Sequence, residues 1–197
     1  MDKKIETAKS FSAVYDGNAK ILMMGSIPSA GGVKYGFFYM SKVNKFWEYL
    51  TRTLETDNFV ELANNYRTHY NSSDCELHKE NVKKALYKNH IALFDVIQSC
   101  ERVGSADNQI LSSQNNSYES IKQILLDNPI QKIIVNSYEV EKRLKQILGK
   151  AGMEEIKNIM KTSEPIVRIL SPSPMCKRTH TEKEILENWK IIKQYLN

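Results

Sequence analysis

The sequence lacks most of the patterns that announce a cofactor or a compartment. Its three cysteines, Cys75, Cys100 and Cys176, are far apart and form no Cys-x-x-Cys pair. An all-cysteine iron–sulfur cluster needs four thiolates, so one chain cannot supply it. Scattered thiols fit a reduced, cytoplasmic protein. The histidines, His69, His78, His90 and His180, show no His-x-His or His-x-x-x-His spacing, so no metal is expected. Phosphate loops of the GxGxxG and GxxxxGK[ST] kinds are missing, and so is the GxSxG turn of a serine hydrolase. No cofactor is therefore expected. No apolar run approaches the ~20 residues of a membrane span. The charged start "MDKKIETAKSFSAVYDG" has no apolar signal segment. These absences predict an intracellular protein that avoids membranes.

What is present suits one domain over residues 1–197, with about the first 15 residues partly mobile. Apolar residues make up 41% and charged residues 26%, an ordinary globular balance. A net charge of +5 permits an anionic partner without demanding one. Nothing in the pattern calls for an obligate oligomer, so a monomer is expected.

Four short apolar runs read as strands: "KILMM" (20–24), "IALFD" (91–95), "KIIVN" (132–136) and "IVRIL" (166–170). Near-continuous hydrophobicity is the mark of a strand covered on both faces. Helical patterns lie between and after them, at 43–54, 78–89, 117–128, 137–148 and 181–196. Alternation of this kind predicts an α/β fold with a central four-stranded parallel sheet and helices on both faces. Residues 55–78 and 149–164 read as insertions.

In such sheets the ligand site lies beyond the carboxyl ends of the strands. That rule selects "GSIPSAGG", "DVIQSCERVGSADNQI", "NSYE" and "SPSPMCKRTH". The first reads as a tight turn that lets backbone approach a ligand. The loop leaving the first strand continues into "FFYMSKVNKFW". Phe46 and Trp47 are expected in the core. Tyr39 is expected to expose a ring that can stack on a base. Asn44 can cap the next helix or orient a water. In the last loop, two prolines stiffen a turn that presents Met175, with Lys177 and Arg178 behind it.

Together these loops resemble the uracil-DNA glycosylase superfamily, most of all its hypoxanthine-DNA glycosylase branch and next its mismatch-specific uracil/thymine branch. The resemblance runs through residues 20–195 in order. It implies the three-layer α/β/α fold of that superfamily. "GSIP" is similar to the branch's "GSMPG"-like motif, with Ile27 where the best-known branches carry a water-activating Asp or Asn. "NKFW" matches the place where the branch puts a catalytic asparagine, so Asn44 inherits that role. "IALFDVIQSCERVGSADNQI" resembles the branch's most specific segment and includes Arg102, Ser105 and Asp107. Asp95 falls where uracil-specific members read the base. Asn136, in "IIVNSYE", is implied in base contact. "SPSPM" is similar to the "HPSPL" wedge loop, with Met175 as the wedge and Ser171 in place of the histidine that stabilises a departing uracil anion. Ser41-Lys42-Val43 replaces the His-Pro-Arg usual before the catalytic asparagine.

The resemblance therefore implies a monofunctional DNA glycosylase with DNA containing a damaged or mismatched base as its partner. Hypoxanthine is the first choice of base and uracil the second. Asn44 and Ser171 are the expected catalytic pair. Gly25, Ser26, Ile27, Tyr39, Asp95 and Asn136 would surround the base, and Ser173, Pro174, Met175, Lys177 and Arg178 would meet DNA. Asp95 or Asp107 would set negative charge near the sugar or cap a loop. No lysine stands in a site motif as a Schiff-base nucleophile. The alternative is a catalytically weak or inactive homologue that binds DNA or protein, suggested by Ile27 and by the lost His-Pro-Arg.

Overall fold

A computed structural model describes residues 5–104, 109–114 and 117–196. Its centre is a parallel sheet of β2 (Ile21–Gly25), β3 (Ile91–Asp95), β6 (Lys132–Val135) and β7 (Ile166–Arg168), in the order β3-β2-β6-β7. All four predicted strands are found. Every residue of β2 and β3 is buried, which is why their runs carry no polar alternation.

Successive side chains point to opposite faces. Ile21, Met23, Ile91, Leu93 and Ile134 enter one core, and Leu22, Met24, Ala92, Phe94 and Ile133 enter the other. The first core is covered by α2 (Phe46–Leu54), α3 (Phe59–Thr68), α4 (Cys75–Lys88) and α7 (Glu182–Trp189), through Trp47, Tyr66, Leu86 and Trp189 among others. The second is covered by α5 (Ser117–Asp127) and α6 (Tyr138–Met160), through Ile121, Leu144 and Ile156. The result is three layers, α/β/α.

Several expectations need correction. Residues 55–78 are no bare insertion: α3 buries Phe59, Ala63 and Tyr66 at helical spacing. Residues 149–164 continue α6 past a kink at Gly149, whose φ of 57° lies in the left-handed region. The glycine-rich stretch is more than a turn, since α1 (Ala30–Tyr35) starts there with the Ser29 side chain accepting from the Gly32 amide. The last helical pattern ends at Trp189 and tightens into a 3₁₀ segment over Lys190–Tyr195. Inside the start that was expected to be partly mobile, β1 (Glu6–Lys9) pairs antiparallel with β4 (Ser99–Arg102), which pairs with β5 (Ile110–Gln114); residues 1–4 lie outside the described residues. Ser105 and Asp107 lie outside the described residues. Among the described residues, no helix is long and apolar enough to cross a membrane.

Candidate active site

The carboxyl ends of the four parallel strands open into one cleft of about 420 Å³. Gly25 closes β2, Asp95 closes β3, Asn136 follows β6, and Ser171 lies three residues beyond β7. Tyr39 and Asn44 reach the same cleft from the loop before α2.

At the floor, side chains converge over Gly25. A Cβ there would sit 2.7 Å from Asp95 Oδ1 and 2.7 Å from Tyr39 Oη, so only glycine lets these two oxygens approach the strand. Asn136 Nδ2 donates to Tyr39 Oη at 2.9 Å. Ser10 Oγ donates to Asp95 Oδ2 at 2.9 Å, and Gln98 Nε2 donates to the Asp95 carbonyl at 3.0 Å. The segment after β1 thus helps hold a buried carboxylate of the site. Ile27 lines the cleft and packs against the small cluster of Ala8, Ile97 and Cys100. An apolar side chain belongs in that setting.

Tyr39 is not the exposed ring expected. It is half-buried, with φ of 53°, and stacks on Phe46 with centroids 3.8 Å apart and planes 5° from parallel. One ring face is therefore already covered. Phe46 and Trp47 are in the core, as expected. Asn44 lines the cleft, and its Oδ1 accepts from the Phe46 amide at 2.9 Å, the capping contact that was one of its two expected roles.

The opposite wall is the loop "SPSPMC". Ser171 Oγ accepts from the Ser173 amide at 3.2 Å, and Ser173 Oγ accepts from the Met175 amide at 3.4 Å. These bonds shape a 3₁₀ turn over Pro174–Arg178. The base of the loop is anchored to α7, where Trp189 Nε1 donates to the Leu170 carbonyl at 2.9 Å. Met175 stands 57% exposed at the rim. Burial pushes the Cys176 thiol up, offset in part by a backbone hydrogen bond from Ser171.

Pro174, Lys177 and Arg178 are not among the lining residues. Lys177 Nζ sits 2.6 Å from Glu182 Oε2. The hydrogen bond to Glu182 raises the Lys177 ammonium, while Lys177 first and Arg52 second hold the Glu182 carboxyl below its usual range. Arg102, quoted in the segment after the second predicted strand, is buried on β4 and donates to the Pro28 carbonyl at 2.6 Å. It fixes the "GSIP" turn from behind.

Glu139 also lines the cleft, and nothing in its local sequence singles it out. It sits in the first turn of α6, inside the quoted "NSYE". Its position on the site side was legible, but which face of the helix met the cleft was not. With Asp95 it gives the lining two carboxylates, against no lysine or arginine among the described residues. Also among the described residues, no group of three or more His, Cys, Asp or Glu is placed to hold a metal.

The fold and this cleft have counterparts. A solution NMR structure of a Methanosarcina acetivorans protein, described as a candidate uracil DNA glycosylase, superposes with a TM-score of 0.61 at 22% identity, covering 95% of this chain and 99% of that one. A Methanosarcina acetivorans protein named hypoxanthine DNA glycosylase is 27% identical over 117 residues, 59% of this chain and 64% of that protein. The chain is similar to proteins named hypoxanthine DNA glycosylase. A Methanosarcina barkeri protein of the same name is 25% identical over 146 residues, 74% of this chain and 80% of that relative. The match to the Methanosarcina acetivorans hypoxanthine DNA glycosylase thus spans under two thirds of that relative's length. No family model matches the chain. The three-layer, uracil-DNA glycosylase-like architecture expected from the loops is the one observed.

Proposed function

We propose that the protein is a monofunctional DNA glycosylase that hydrolyses the N-glycosidic bond of an extruded, deaminated base, hypoxanthine ahead of uracil. One observation carries the reading. Asn44, Tyr39, Asp95, Asn136 and Ser171, drawn from every loop at the carboxyl edge of the sheet, meet in a single cleft with an exposed methionine at its rim. The relatives' names support a glycosylase role of this kind.

The chemistry follows from the groups present. A base inside a duplex is out of reach, so it must swing out at a cost of a few kcal/mol. Met175 fills the gap it leaves. Asn136 and the Tyr39–Phe46 stack set the width and polarity of the base pocket. An amide takes up no proton at neutral pH, so Asn44 orients the water rather than deprotonating it. Its Oδ1 keeps a second lone pair beside the one used by Phe46. Rate enhancement then rests on positioning and electrostatics.

The charge of the cleft bears on the choice of base. Breaking the bond leaves positive charge on the sugar, which Asp95 and Glu139 stabilise. The same carboxylates penalise a base departing as an anion, as uracil must where nothing protonates it. A purine can take a proton on its ring and leave neutral. Ser171, in place of a histidine that would stabilise an anion, agrees with that preference. Excision assays on oligonucleotides with a single deoxyinosine or a single deoxyuridine test the reading. Abasic product from neither sinks it, and an adduct trapped by borohydride sinks the monofunctional part. A binding-only homologue is the second reading, favoured by the commitment of Asn44 Oδ1 to the helix start. It requires DNA binding without cleavage.

A further inference from the structure

A groove of about 420 Å³ lies beside the cleft, between α6 and the edge strand β7. Tyr138, Glu141, Lys142, Lys145, Gln146 and Arg168 line it. Tyr138 stands between Ser137 and Glu139, both of which line the cleft, so the groove and the cleft are next to each other along the chain. Tyr138 is 61% exposed, unusual for a large ring without a partner element over it. The Arg168 guanidinium lies over that ring at 5.6 Å, a cation–π contact that holds the ring in place.

The charge of the groove is positive. Arg168 Nη1 lies 2.9 Å from Glu141 Oε2, and Lys145 Nζ lies 2.6 Å from Glu141 Oε1. Two cations thus share one carboxylate, and Lys142 has no ion pair among the described residues. The cleft itself shows the opposite sign, with carboxylates only. The acidic cleft suits the reacting sugar, and the basic groove suits phosphate. From Tyr138 to Lys145 the helix rises by roughly 10 Å, which matches about three nucleotides of one DNA strand.

We infer that this groove is a DNA-strand site, in which Tyr138 stacks on a base or sugar next to the extruded nucleotide while Lys142, Lys145 and Arg168 meet its phosphates. The inference deepens the glycosylase reading and rests on it for the identity of the ligand. Tyr138 supplies a sequence-tolerant platform, because every base has a stacking face. The two lysines and the arginine add an attraction that salt screens.

The test is fluorescence anisotropy with a labelled duplex carrying one stable abasic-site analogue, across a series of salt concentrations. Tyr138→Ala should raise the Kd roughly five- to a hundredfold. Tyr138→Phe should bind nearly as wild type, because the ring is kept. Lys142→Gln and Lys145→Gln should each lower the salt slope by about one. All three side chains are exposed, and the thermal midpoint should not move. Tyr138→Ala binding as wild type would overturn the proposal, whatever the lysine variants do. Unchanged salt slopes in both lysine variants would overturn it as well. A wild type that fails to bind the duplex at all would instead break the glycosylase reading beneath it.

Discussion

The Lys45 amide donates to the Pro172 carbonyl at 2.9 Å, and this bond joins the two walls of the cleft. Lys45 follows Asn44, and Pro172 follows Ser171. Two residues separated by more than half the chain are thereby set on either side of one opening. The contact is between backbone groups, and it ties the SPSPMC loop to the start of α2.

Asn44→Ala should act on two quantities at once. Loss of the acceptor for the Phe46 amide should lower stability by about 1 kcal/mol. Loss of the oriented water should slow excision by roughly 10²–10³-fold. Asn44→Ser keeps a capping oxygen on a shorter side chain and separates the two, so its denaturation midpoint should stay near wild type while excision slows as in Asn44→Ala. Single-turnover rates and denaturant unfolding of both variants check this. An active Asn44→Ala protein would remove Asn44 from the catalytic role.

Gly25→Ala should damage the floor of the site. The added methyl would lie 2.7 Å from two oxygens, on Asp95 and Tyr39, and one of them must move. Crowding of this kind costs about 1–3 kcal/mol, and excision should be lost in a protein that still folds. Circular dichroism melting beside the excision assay would show it. A fully active Gly25→Ala protein would mean that the two oxygens have no part in holding the base.

Particular residues show what could be read ahead of the structure. The four sheet strands were plain because each is a run of buried side chains, and burial on both faces leaves no polar gaps. The antiparallel ribbon was hidden because "ETAK" and "SCER" bury only alternate or isolated positions and pair across ninety or more residues of chain. Ser10, which holds Asp95, was invisible for the same reason. In α3 the spacing of Phe59, Ala63 and Tyr66 was there to be read, and only the absence of a neighbouring strand made it look like an insertion. Tyr39 lines the cleft but is half-buried where an exposed ring was expected. No local pattern announces that its ring lies flat on Phe46, seven residues away.

Met175→Ala should leave the fold intact, since the side chain is exposed. Without an apolar wedge, the duplex closes over the gap more readily. Excision from duplex DNA should fall by roughly ten- to a hundredfold, and excision from a single strand should fall much less. Parallel assays on both substrates give the comparison. Equal losses on the two would show that Met175 serves the chemistry or the fold, and not extrusion.

Glu139→Gln removes one of the two carboxylates of the cleft without changing its shape. Excision of deoxyinosine should slow by a few-fold to some tens of fold, as for a unit charge felt through an intermediate dielectric. Excision of deoxyuridine should slow less, or quicken, because an anionic leaving group is then less opposed. A single-turnover comparison of the two substrates reads the difference. The same slowing on both would argue against an electrostatic role in choosing the base.

The most direct measurement is single-turnover cleavage of two oligonucleotides that differ only in carrying deoxyinosine or deoxyuridine, run side by side with the unmodified protein. Abasic product should form on both or on deoxyinosine alone, faster on deoxyinosine, with no borohydride-trapped adduct. Tight binding with no product from either, or a clear preference for deoxyuridine, would contradict the assignment of this acidic, histidine-free cleft to hypoxanthine excision.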